Sequence, residues 1–204
     1  FPSCKACNVR HGAIEDRLRS SLVLALDPIA EGVQGLVQSV RRSMDPERGR
    51  NDNDRRLRQG RRNRVFQQVL RADQVEEYSI LPGLGPHPGT PVQDQVALTV
   101  EPKDVHALVE KLVRGITYLD TGLYIGPTHE ILAVTLDCRE LGELKAALRS
   151  HGAATTLGPG LLYKVARSSK DPLSAWYVFR FWQSLTLPAL SRSITKIPAC
   201  EAAP

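Results

Sequence analysis

Four cysteines in 204 residues, Cys4, Cys7, Cys138 and Cys200, are too few and too unevenly placed for the disulfide framework of a small secreted domain. Long apolar runs are missing as well. The longest, "SLVLALDPIA", is broken by Asp27 and Pro28 and falls far short of the roughly 20 residues a spanning helix needs, so no membrane contact is expected. Phe1 leads into the cysteines with no charged-then-apolar prelude of signal-peptide form, and the expected compartment is the cytoplasm. No internal repeat is visible.

Lysine is absent from residues 41–71, yet that stretch holds eleven arginines against four acids, a local charge of +7. With a net charge of +5, everything outside it sums to 5 − 7 = −2. The basic character of this protein is therefore one segment. Arginine presents a planar fork of donors that suits bidentate phosphate contacts, which lysine cannot make. Arg55, Arg58, Arg61 and Arg62 are the candidate nucleic-acid contacts, with DNA the expected partner. The competing reading is a solvated helix face.

At 42% hydrophobic content the chain has enough apolar residues for a real core, and their spacing divides it into parts. Residues 14–26 carry Leu18, Leu22, Ala25 and Leu26 at helical spacing, stopped by Asp27-Pro28. Residues 29–42 predict a second helix with Val33, Leu36, Val37 and Val40 on one face. After the polar linker "SMDPERGRNDND", residues 54–72 predict a third, with Leu57, Val65, Phe66, Val69 and Leu70 as its apolar side. Pro102 then opens the clearest helix, with Val105, Leu108, Val109, Leu112, Val113 and Ile116 on one stripe. "ELGELKAALRSHG" predicts another. Strands are expected at "EEYSIL", "QVALTV", "HEILAVTLD", "GLLYKVARS" and "SAWYVFRFW". In the last of these, Tyr177, Phe179 and Phe181 alternate with Trp176, Val178 and Trp182, so both faces should be covered. The expected fold class is α+β: amphipathic helices, then a largely antiparallel sheet with two helices. The expected divisions are a metal-motif end with its helix at 1–28, an arginine-rich helical connection at 29–75, an α+β domain at 76–190 and a disordered tail at 191–204.

Cys4 and Cys7 have the C-x-x-C spacing that lets two thiolates reach one tetrahedral zinc ion from a tight turn. A redox pair calls for a preceding strand in a βαβ context, which is lacking, and simple free cysteines are the third possibility. His11, at C-x-x-C-x-x-x-H, is either a third ligand or a solvent-facing residue at the helix start.

Taken together, "C-x-x-C-N-x-x-x-G-x-x-E" ahead of an amphipathic helix resembles the C-terminal end of the zinc-stabilised HNH endonuclease motif. The resemblance covers about 20 residues. It implies that Cys4 and Cys7 are the second of two cysteine pairs on a structural zinc, and that Asn8 is the catalytic residue binding Mg²⁺ or another divalent cation. The general-base histidine and first cysteine pair would precede Phe1, so the chain is expected to be an N-terminally truncated piece that does not cut DNA by itself. "VEKLVRGITYLDTG" and "LGPGLLYKVARSSKDPLSAWYVFRFW" are similar to segments of uncharacterised bacterial proteins that place an HNH-type motif ahead of an α+β domain of unknown role. His87, His106, His129 and His151 are scattered over different elements and are read as ordinary surface or core-edge residues. Two further classes remain open: a non-catalytic nucleic-acid-binding module, and a subunit whose α+β domain binds a protein partner.

Overall fold

A computed structural model describes residues 5–27, 33–75, 90–134, 153–158 and 160–194, together with 142, 144, 146, 148 and 149. The first helix, α1 (Lys5–Leu24), begins well ahead of the expected start at residue 14 and takes in Cys7 and Asn8. Ile14, Leu18 and Leu22, each one turn from the next, form its buried line. In α2 (Gln34–Ser43) the expected face holds: Val37 and Val40 are buried with Val33 just ahead of the helix, and Leu36 is half-buried.

The third helix, α3 (Asp52–Gln67), stops short of the expected Ala72. Residues 69–71 are instead a strand, β1 (Val69–Arg71), pairing antiparallel with β2 (Val96–Leu98) in the register Val69↔Leu98, Leu70↔Ala97 and Arg71↔Val96. A partner so distant in the chain leaves no trace in local periodicity, which is why helix seemed to continue. The same ribbon supplies the neighbour of "QVALTV"; the strand expected at "EEYSIL" lies outside the described residues.

Pro102 occupies the first turn of α4 (Pro102–Thr121), where its missing N–H costs nothing, and Gly122 ends the helix at φ 71°, a left-handed conformation that glycine adopts without a Cβ penalty. Val109, Val113 and Ile116 are buried on the expected stripe, with Val105, Leu108 and Leu112 packed along its margin.

Five strands follow: β3 (His129–Ala133), β4 (Ala153–Leu157), β5 (Leu161–Arg167), β6 (Ala175–Phe181) and β7 (Leu185–Ser193), all antiparallel in the order β3-β7-β6-β5-β4. The α+β class is as expected. Two strands escape a reading by pattern. β4 is "AATTL", exposed from Ala154 to Leu157, with no apolar alternation to betray it. β7 contains Pro188, which ordinarily argues against a central strand. The structure accommodates it where the β3–β7 ladder ends: past Ala133↔Ala189, the carbonyl of Pro188 accepts from the Val134 N–H at 3.0 Å, and no return donor is needed. β7 also runs to Ser193, and Ser191 is fully buried, so residues 191–193 belong to the sheet rather than to the expected tail. The described residues between 142 and 149 are helical, in keeping with the helix expected there.

One core unites these pieces. α4 packs against β3 and β7 on one side and α1 on another, joining Ile14, Leu18 and Leu22 to Ile131, Tyr177, Phe179 and Leu187. The parts expected at 1–28 and 76–190 therefore share a hydrophobic core. Arg17 fastens the helix pair by a bidentate contact to Asp104, with both bonds at 2.7 Å. Asp104 is only 5% exposed, and the Arg17 guanidinium holds its carboxyl below the usual carboxylate range. Its place in the first turn of α4 adds the favourable end of the helix dipole. Lys111 and Glu15 pair further along the same seam.

Tyr177, Phe179 and Phe181 face this core, as alternation requires; on the opposite face Val178 is buried, but Trp176 remains 37% exposed. Trp182 belongs to neither row. It and Gln183 form the turn between β6 and β7 with φ of 45° and 59°, a twist that suits a hairpin but strains non-glycine residues. Offsetting that strain, Trp182 packs on a second apolar cluster of Val23, Leu26, Val33, Val37 and Val40. Gly160 admits the indole: a Cβ there would lie 2.9 Å from its nitrogen. Among the described residues, no helix is long and apolar enough to cross a membrane.

Polar groups in the sheet are tied in pairs. Thr117 and Tyr177 share a buried hydroxyl bond of 2.7 Å, and Asp120 receives Arg167 at 2.8 Å and Tyr163 at 3.0 Å. Burial raises the Tyr163 hydroxyl above its ordinary range. At the far end, Asp171 accepts from Ser174 at 2.5 Å and meets His129 Nε2 at 2.8 Å, fastening the β5–β6 turn to the start of β3. The Ser174 hydroxyl and then His129 pull the Asp171 carboxyl down to about 2.

Two outcomes follow for stability. Ile116→Ala is expected to cost about 2–5 kcal/mol by removing buried methyls and leaving a cavity, and Leu112→Ala less, since Leu112 lies at the margin; urea midpoints of both variants measure the difference. Because Asp171 has a folded-state pKa below its unfolded value near 3.9, it contributes stability fully above about pH 4 and loses it as pH falls toward 2. Asp171→Asn should therefore lower the midpoint at neutral pH and flatten its decline on the acid side.

Candidate nucleic-acid interface

The arginine segment folds as a helix, a tight connection and a second helix. At the end of α2 the Met44 N–H donates to the Arg41 carbonyl and the Asp45 N–H to the Arg42 carbonyl, and the Asp45 side chain then caps a short turn at Pro46–Arg48 by accepting from the Glu47 N–H at 3.1 Å. Asn51 starts α3: its side chain accepts from the Asp54 N–H at 2.9 Å, while Asp54 accepts from the Arg50 N–H at 3.1 Å. This reciprocal pattern is close to a capping box. The Arg50 N–H, and after it Arg58, draws the Asp54 carboxyl below its ordinary range. Gly49 lets the connection lie against the start of α3, since a Cβ there would stand 2.8 Å from the Arg55 backbone nitrogen.

The four candidate arginines separate into two kinds. Arg58 is largely covered, bonded to Asp54 at 3.1 Å and to the Arg42 carbonyl at 2.6 Å, so it joins the two helices. Arg61 reaches Asp16 on α1 at 3.1 Å. Both are spoken for within the protein. Arg55 is exposed, with only a 3.9 Å approach to the exposed Asp52, and Arg62 is exposed over the ring of Phe66. Sequence reasoning passed over other arginines in this role. Among the described residues Arg41, Arg42, Arg56 and Arg64 are exposed and have no carboxylate partner, as is true of the candidate Arg62, while Arg50 is exposed beside Asp54. Helical phase was the available signal: Asp54, Arg58, Arg61 and Val65 recur at i, i+4, i+7 and i+11, which puts the engaged arginines on the side of Val65, the buried residue of α3.

That phase also corrects the apolar side expected for this helix. Leu57 is 57% and Phe66 64% exposed, and Leu70 stands on the ribbon, also exposed. Only one helical face meets α1, and arginine stems and ion pairs fill most of it, so a single valine suffices.

Of the expected metal-binding end, Cys4 lies outside the described residues, and Cys7 and Asn8 are described in backbone alone. Both fall in the first turn of α1, where a tight turn was expected. Among the described residues no group of three histidine, cysteine or acidic side chains is placed to hold a metal ion. Cys4 and Cys7 supply at most two of the four ligands a structural zinc takes. His87 and His151 are also outside the described residues, while His106 bonds the Ile131 carbonyl at 3.1 Å. In the Asp171 cluster the carboxylate stands between Ser174 and His129, so the imbalance of roles needed for a serine nucleophile, hydroxyl on imidazole, is not formed by that pair. A shallow hollow lined by Ala13, Ile14, Arg17, Lys103, Asp104 and Ala107 is occupied in its polar part by the Arg17–Asp104 pair itself.

Compared with known protein families, with curated proteins and with solved structures, the chain matches none.

Gly49→Ala is expected to destabilise the α2–α3 connection by about 1–3 kcal/mol, because the clash is with backbone and cannot be relieved by a rotamer change. Thermal unfolding followed by circular dichroism measures it.

Proposed function

We propose that this chain binds the phosphate backbone of nucleic acid through the arginines of α2, α3 and the connection between them. The observation that supports this is the set of five exposed arginines without carboxylate partners among the described residues, Arg41, Arg42, Arg56, Arg62 and Arg64, with Arg50 and Arg55 exposed beside them. A helix face that is merely solvated interleaves its charges, as Arg48 with Asp45 and Arg114 with Glu110 do here. Guanidinium groups left uncompensated in this way repel one another and favour an anionic surface that brings them counter-charge. DNA is the substrate proposed. The Cys4-x-x-Cys7-Asn8 run supports placing this surface beside an HNH-type motif, with zinc as a structural ion and Mg²⁺ or a similar ion for cleavage in a longer protein; phosphodiester hydrolysis is not proposed for these 204 residues alone.

Salt dependence tests the binding. With about six phosphate contacts, log K should fall against log salt with a slope near −5, at about −0.9 per contact. Replacing Arg50, Arg56 and Arg64 together with alanine should bring the slope to about −3 without changing sequence preference. A slope unaffected by those replacements, or no DNA affinity at about 50 mM salt, would remove the proposal.

A further inference from the structure

We propose that the exposed ring of Phe66 stacks a base of single-stranded nucleic acid while Arg62 and Arg55 hold the neighbouring phosphates. The inference rests on the nucleic-acid reading above and names the strand form that the surface selects. Phe66 is 64% exposed in the last turn of α3, directly after the buried Val65. A ring of this size is ordinarily buried, and here most of it is left in water. The guanidinium carbon of Arg62 lies over the ring, 5.5 Å from its centroid, so a cation sits against one π face and a base would stack on the other.

Arg55, Gln59, Arg62 and Phe66 recur at i, i+4, i+7 and i+11, so they share one stripe of α3 about 16 Å long. The stripe is separate from the face of Arg58, Arg61 and Val65 that meets the protein. Its cations are available: Arg62 has no carboxylate partner among the described residues, and Arg55 only the distant Asp52. Cations along a backbone track with an aromatic ring among them are the two components of single-strand binding, because every base offers a π face once it is unstacked. In a duplex the bases are stacked on each other and their faces cannot reach the ring. An acidic protein would meet the arginines but leave the ring without a matching planar group.

The test uses the full chain and fluorescence anisotropy with labelled oligothymidine of about 12 nucleotides and a duplex of about 12 base pairs, at about 50 mM salt. Wild type should bind the single strand more tightly. Phe66→Ala should weaken that binding about 5- to 150-fold, the range for loss of one stacked base, and leave duplex affinity and the thermal midpoint unchanged. Phe66→Trp should keep or tighten it. Equal losses on both oligonucleotides, or no loss on either, would overturn the stacking inference while the arginine-based reading stands. Failure of the wild-type chain to bind either oligonucleotide would overturn that reading and the inference with it.

Discussion

Burial of α4 on two sides is the constraint from which the rest of the structure follows. Val109, Val113 and Thr117 have no exposure at all, and they stand at i, i+4 and i+8 along one line of the helix. A line that is wholly covered requires a continuous surface opposite it, which the antiparallel sheet provides with Tyr177, Phe179, Leu185 and Ala189. The adjoining side accepts Ile14, Leu18 and Leu22 of α1, so the N-terminal helix is held in the same core as the sheet. Charge adds to the register that packing sets along that second contact, because the forked Arg17–Asp104 contact has one geometry.

Polar pairs do the same for the sheet. Thr117 and Tyr177 join α4 to β6 inside the core, and Arg167 and Tyr163 meet Asp120 at the C-terminal end of α4. At the opposite end of the strands, Asp171 collects Ser174 and His129 and sets the β5–β6 turn against β3. Each carboxylate here is met by several donors, which lets partly covered charges persist without large desolvation loss. Their chemistry is consumed in bonding within the protein. The contrast with α3 is physical: its outward Arg56, Arg62 and Arg64 have, among the described residues, no acid to answer them.

The α2–α3 unit thus combines two uses of one residue type. Arg58 and Arg61 act as struts, satisfied by Asp54, the Arg42 carbonyl and Asp16. Arg56, Arg62 and Arg64 project from the same helix into solvent. The struts give the projecting residues a fixed platform, since α3 has a single buried apolar side chain and would otherwise be weakly held. Binding by a preset array loses less entropy than binding by a flexible basic tail, which supports the nucleic-acid reading over a purely solvating role.

Local pattern alone determined the α+β class, the buried stripe of α4, the face of α2 and the inward row Tyr177, Phe179 and Phe181, because each repeats at the helical or strand period over enough residues to stand out. The concentration of arginine was equally plain. Which arginines are free was not, nor that Phe66 lies in water, because exposure depends on what a second element presents opposite: among the described residues α1 offers Asp16 to Arg61 and no acid to Arg62. Tertiary structure likewise decided β1, whose partner is β2; β4, which lacks an apolar alternation; and β7, where Pro188 is tolerated because β3 ends beside it. Strand pairing is a contact between distant segments, and a sequence read along its length carries the period of an element but not the identity of its neighbour.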